Sequence, residues 1–196
     1  MLQPLLRSLL SSSAPNQAEG RFVRTWPDGS TREAGDIEAG QRSGTWRCYA
    51  EDGTLVKEQS YRKGLVHGPV TRWFATGILR EETQRAWGIL NGPFARFHPN
   101  GRLAEDGEHI EGRVHRAYCR WWPNGRKRIE GEFHHGVPVG LWRVWDGHGN
   151  HVYEGPWRSD FRAQLGPELS STLRSTVPED TPRSVGYRHG TYANVA

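Results

Sequence analysis

In this 196-residue chain, nine histidines and two cysteines are the side chains best suited to bind a metal or attack an electrophile. A zinc ion needs ligands that converge to within about 2 Å of it. His67 and His115 occupy equivalent places far apart in the chain. His134 and His135 are adjacent, so in a strand they point to opposite faces. His148 and His151 lie near Asp146, but no third ligand recurs with them. This spacing predicts no metal. Cys48 and Cys119 form no Cys-x-x-Cys pair and read as small apolar fillers. The chain has no Gly-x-Ser-x-Gly elbow, no phosphate-cradling glycine loop and no paired carboxylates outside its regular pattern. The expectation is therefore no enzyme, no cofactor and no small-molecule substrate.

Charge recurs more systematically. One slot reads Arg24, Arg72, Arg96 and Arg120, and another reads Glu58, Glu82, Asp106, Glu130 and Glu154. On a hairpin these slots read as diagonal neighbours on one face. One reading is a solvated, salt-bridged surface, in which each exposed pair contributes about 0–1 kcal/mol. The other is an arginine stripe that engages an acidic protein or lipid headgroups. Tryptophan and arginine dominate interface hot spots, so Trp73 and Trp121 join Arg24, Arg72, Arg96 and Arg120 as candidate binding residues. The net charge is only +4, which predicts no nucleic-acid surface.

These side chains are positioned by a repeat. Glycine falls at 20, 44, 68, 92 and 140, with Arg116 in the vacant place. It falls at 29, 53, 77, 101, 125 and 149, and again at 40, 64, 88, 112 and 136, with Asp160 last. The period is 24, and the units are 17–40, 41–64, 65–88, 89–112, 113–136 and 137–160. Each unit reads as strand, tight turn, strand, turn. The first turn is written Pro27-Asp28-Gly29, Glu51-Asp52-Gly53, Pro99-Asn100-Gly101 or Pro123-Asn124-Gly125. Its structural glycines are Gly29, Gly53, Gly77, Gly101, Gly125 and Gly149, which take the positive φ that closes a hairpin. The second turn is read over stretches such as Lys63-Gly64-Leu65-Val66-His67-Gly68, which makes all three glycine series turn glycines.

A three-residue first turn with a glycine bulge places Tyr49 opposite Leu55, Trp73 opposite Leu79 and Phe97 opposite Leu103. Aromatic pairs three apart, such as Trp46 and Tyr49, point to opposite faces of a regular strand. Either both faces are partly apolar or a bulge re-aims one ring. Aromatic residues make up 11% of the chain and aliphatic ones are scarce, which argues against helical bundles and parallel α/β folds. No apolar stretch is long enough for a membrane-spanning helix. The expected fold is all-β: an elongated, twisted antiparallel sheet of six 24-residue hairpins and about twelve strands, roughly 55–60 Å long.

The unit Gly44-Thr-Trp46-Arg-Cys-Tyr49-Ala-Glu-Asp-Gly53-Thr-Leu55-Val-Lys-Glu58-Gln-Ser-Tyr61-Arg-Lys-Gly64 resembles the variant form of the MORN repeat. The resemblance extends over 17–160. Proteins of this kind are mostly bacterial, and some are antitoxin- or immunity-like. The resemblance thus implies a cytoplasmic, non-enzymatic scaffold that binds a protein partner, in its sharpest form an inhibitor of a toxin. The alternative is a peripheral module for anionic lipid. Residues 1–16, with leucines at 2, 5, 6, 9 and 10, predict a short amphipathic helix and linker that caps the first strand or rests on a membrane. From 161 to 196 the period stops and a largely irregular tail is expected. Within it, Gly190-Thr-Tyr192-Ala echoes Gly44-Thr-Trp46-Arg as an eroded repeat strand.

Overall fold

The computed structural model describes residues 19–159. The helix expected at 1–16, the tail at 161–196 and the motif at Gly190 lie outside these residues. Twelve antiparallel strands form one sheet in sequence order. They are β1 (Gly20–Thr25), β2 (Thr31–Glu38), β3 (Gln41–Tyr49), β4 (Leu55–Arg62), β5 (Leu65–Trp73), β6 (Leu79–Ala86), β7 (Ile89–Phe97), β8 (Leu103–Ile110), β9 (Arg113–Trp121), β10 (Lys127–His134), β11 (Val137–Trp145) and β12 (His151–Pro156). The all-β hairpin array read from the sequence is the fold observed.

The three glycine series do three different jobs. In the first turn the Gly53 N–H donates to the Ala50 carbonyl at 3.0 Å and the Ala50 N–H to that of Thr54 at 2.9 Å, with Gly53 at φ +84°. This is a type I turn closed by a glycine bulge, and it delivers the expected pairs Tyr49–Leu55, Trp73–Leu79 and Phe97–Leu103. The second turn is shorter than the sequence reading. Arg62 pairs directly with Leu65, leaving Lys63 and Gly64 at φ +49° and +74°. Two consecutive positive φ values define the type I′ hairpin turn, whose twist matches that of the strands.

The remaining series is therefore not in turns. Gly44, Gly68, Gly92 and Gly140 sit inside odd-numbered strands at φ between +63° and +113°, and Arg116 adopts +65° in the same slot. Each marks a bulge. Ala34 pairs with Arg47 but Asp36 with Ser43, so β3 inserts two extra residues against β2. The same shift recurs at the other four junctions between hairpins. Bulges bend a strand and increase its twist.

The bend explains how one sheet buries whole tryptophans without a second layer. The Trp46 ring lies flat across β2: a Cβ added at Gly35 would stand 2.2 Å from it, and one at Gly131 would stand 2.3 Å from the Trp142 ring. Trp46 is 1% exposed and Trp142 0%. The Trp46 indole N–H donates to the Asp36 and Ser43 carbonyls at 3.2 and 3.1 Å, and that of Trp142 to Val139 at 3.1 Å. At these two bulges the neighbouring residues thus supply an acceptor for the buried indole.

The core slot reads Phe22, Trp46, Val70, Phe94, Tyr118 and Trp142, one residue per unit. Val70, the smallest, is flanked by Gln59 and Thr83 where the rings meet glycine. At one end of the array, Tyr118, Phe133, Trp142 and Trp157 pack edge to face or tilted, with centroids 4.8–6.4 Å apart. Tyr49, half-buried, points to the opposite face from Trp46, so both faces are partly apolar.

Candidate functional site: a charge ladder and an aromatic row on opposite faces

Arg24, Arg72, Arg96 and Arg120 lie on the face that carries the core rings. Their cross-strand neighbours are Glu33, Glu81, Glu105 and Ile129. On the other side Glu81 opposes Arg96 and Glu105 opposes Arg120. The result is a ladder of alternating charge across β5–β9. Arg72 pairs with Glu81, Arg96 bridges Glu81 at 2.9 Å and Glu105 at 3.1 Å, and the Tyr118 hydroxyl donates to Glu105 at 2.9 Å. Both acids are buried, at 7% and 3% exposure. Burial pushes the Glu81 carboxyl up, but Arg96 and then Arg72 outweigh it and hold it below the ordinary value. Arg72, Arg80, Glu81, Arg96, Glu105 and Arg120 line a cavity of about 290 Å³ beside the ladder.

This corrects the pairing read from the sequence. Glu58, Glu82, Asp106, Glu130 and Glu154 are not neighbours of the arginine slot. They oppose Arg47, Thr71, Ala95, Cys119 and Arg143 on the other face. The cause is a single residue. Between Arg72–Glu81 and Trp73–Leu79 the partner strand carries one extra residue, Arg80. A one-residue slip moves every side chain beyond it to the opposite face. The acids that meet the arginines therefore stand one place earlier, at Glu33, Glu81 and Glu105.

Trp73 follows Arg72 in β5 and Trp121 follows Arg120 in β9, so the two candidate tryptophans face away from the arginines. They belong to a row of half-buried rings, Tyr49, Trp73, Phe97, Trp121 and Trp145, interleaved with Leu55, Leu79, Leu103, Lys127 and His151. Successive rings stand two strands apart, about 10 Å. Next to the row runs the second set of acids. At its ends they are paired: Arg47 with Glu58 at 2.7 Å, and Arg143 with Glu130 at 3.2 Å and Glu154 at 2.9 Å. In the middle, Thr71 and Ala95 replace the arginines. Glu82 and Asp106 make no ion pair among the described residues. The missing side-chain volume leaves a hollow of about 500 Å³ lined by Thr71, Glu82, Ala95 and Asp106. Burial, then Glu105, pushes the Asp106 carboxyl up.

The turn residues form a third regular feature. The Trp26 indole donates to the Tyr49 carbonyl and that of Trp122 to Trp145, both at 3.2 Å, while a His98 ring nitrogen lies 3.0 Å from the Trp121 carbonyl. Arg32 and Arg128 stack on Trp26 and Trp122 at 4.5 and 4.3 Å. Asn100 and Asn124 donate to Pro123 and Gly147 in the next turn, each at 2.7 Å.

Two of the histidines serve turns too. The His67 and His115 Nδ1 atoms accept the backbone N–H of Trp87 and His135, at 3.4 and 3.2 Å. Among the described residues no group of His, Cys, Asp or Glu is placed to hold a metal ion. Burial drives the Cys119 thiol up to about 11, a poor setting for a nucleophile. The ladder's acids and the ring-bearing glycines were missed from the sequence, although Gly35, Gly107, Gly131 and Gly155 form a fourth series on the same period.

Sheet order, turn types and recurring slots define a β-hairpin repeat protein. Residues 42–63, which span β3, its turn and β4, match the family model of the MORN repeat variant. No curated protein matches the chain.

Proposed function

We propose that the chain is a non-enzymatic repeat scaffold that binds a protein partner through the face carrying Tyr49, Trp73, Phe97, Trp121 and Trp145. The row of half-buried rings carries this reading. Rigid aromatic side chains supply large contact area at little entropic cost, and a few of them dominate most interfaces. Glu82 and Asp106 beside the row favour a partner with basic groups between its apolar ones. An antitoxin- or immunity-like inhibitor is the narrowest version of this reading. The lipid alternative relies on the arginine stripe, and Arg72 and Arg96 are engaged with Glu81 and Glu105.

The test is calorimetric titration of the chain with the product of a neighbouring gene. Trp73→Ala with Trp121→Ala should weaken binding at least tenfold while leaving the melting transition cooperative. Equal affinity for the double variant would refute the assignment of this face. Salt-sensitive capture of the chain by anionic vesicles, with no protein complex formed, would favour the lipid reading instead.

A further inference from the structure

The face that carries the half-buried rings holds two parallel rows with one period. The first is the row of rings itself, one on each odd strand from β3 to β11. The second crosses the same strands two residues earlier. In it, acids on even strands alternate with Arg47, Thr71, Ala95, Cys119 and Arg143 on odd ones. The outer two of these odd-strand places hold arginine, paired with Glu58, Glu130 and Glu154. The inner three hold no cation, although each stands between two acids. Around the middle one, Ala95, lies the hollow of about 500 Å³ with Glu82 and Asp106 in its walls. The chain itself shows what can lie between the two rows. Lys127 pairs with Glu130, and its ammonium stands 5.9 Å from the Trp145 ring centre.

Rings and vacant places alike repeat every two strands, about 9.6 Å. That period selects the conformation of a segment laid across the strands. An extended strand repeats a side chain on one face about every 6.8 Å and is out of phase at the next place. An α-helix returns to nearly the same face after seven residues, about 10.5 Å, and drifts by about 1 Å per place. A polyproline II helix returns after three residues, about 9.3 Å, and stays within about 1 Å over all three places. It is also ordered before it binds, which suits it to aromatic-lined surfaces. We propose that this face takes a polyproline II segment of a protein partner with a basic residue at every third position. Its cations then stand at Thr71, Ala95 and Cys119 between the acids, and its prolines lie on the rings. The inference rests on the assignment of this face to a protein partner.

The probe is the capped peptide (Pro-Pro-Arg)3, titrated into the full-length chain with tryptophan fluorescence as the readout. It should bind at least tenfold more tightly than a peptide of the same composition whose three arginines are adjacent. Ala95→Arg copies the residue that Arg47 and Arg143 place in the same slot, beside Glu82 and Asp106. It should keep or raise the melting temperature and weaken the regular peptide at least tenfold. Equal affinity of the two peptides would overturn the inference, since charge alone would then account for binding. So would unchanged affinity in Ala95→Arg. Either result leaves the scaffold reading intact, because that reading fails only if Trp73→Ala with Trp121→Ala spares the complex with the partner protein.

Discussion

Glu81 shows how this sheet handles charge at the residue scale. It is buried beside the rings yet accepts from two arginines, and a buried carboxylate is tolerated only when so matched. Its folded pKa lies below the ordinary value of 4.5, so the unfolded chain binds the proton more readily. The stability it contributes is therefore fully present above about pH 4.5 and is lost as pH falls through the folded value. Glu81→Gln should cost about 1.5–3 kcal/mol at neutral pH, the range for hydrogen bonds to charged groups. The difference from the unaltered chain should narrow below pH 4.5 in urea melts run at successive pH values. A gap independent of pH would show that packing, not charge, is what Glu81 supplies. Glu130 carries the same sign. Burial raises its carboxyl, but Lys127 and Arg143 outweigh that and lower it.

At the element scale the strand bulge is the unit that makes a core possible, and two substitutions probe it from opposite sides. Gly131→Ala would drive a methyl into the Trp142 ring at 2.3 Å and should destabilise by about 2–3 kcal/mol, as overpacking does. Arg116 is the one non-glycine at a bulge, held at φ +65°. A non-glycine residue there carries about 1 kcal/mol of strain or more. Its exposed 2.9 Å pair with Glu108 returns at most about 1 kcal/mol. Arg116→Gly should thus leave the melting temperature unchanged or raise it, and a loss of several degrees would refute the strain.

These same positions show what the sequence could reveal. The period, the hairpins and the pairs such as Tyr49–Leu55 follow from turn chemistry that acts within a few residues. The role of Gly44 does not, because a glycine at positive φ reads alike in a turn and in a strand. The Arg72–Glu81 contact was hidden by the extra residue Arg80, which changes the face without leaving a mark in composition. Gly131 was legible as a member of a fourth periodic series. Only the ring lying across it explains why it is there.

At the scale of the whole molecule, each hairpin touches only its neighbours, so stability should be close to a sum of repeat and junction terms. The turns add to the junctions, since Trp26, Asn100 and Asn124 each donate across to the next unit. Removing residues 65–88 tests this additivity. The deletion joins Gly64 to Ile89 with every slot in phase, and β4 would then pair with β7. Gln59 would face Phe94 in place of Val70, a position now filled by Thr83. Phe94 would keep its seat at Gly107, and Arg96 would keep Glu105 while losing Glu81. The shortened chain should fold cooperatively and be shorter by about 10 Å in small-angle scattering, two strands at 4.8 Å each. Removal of residues 65–76 instead joins the two-residue turn at Gly64 to the three-residue turn at Gly77, with no strand between. That chain should lose the cooperative transition. If both deletions melted alike, the register imposed by the 24-residue slots could not be what holds neighbouring hairpins together.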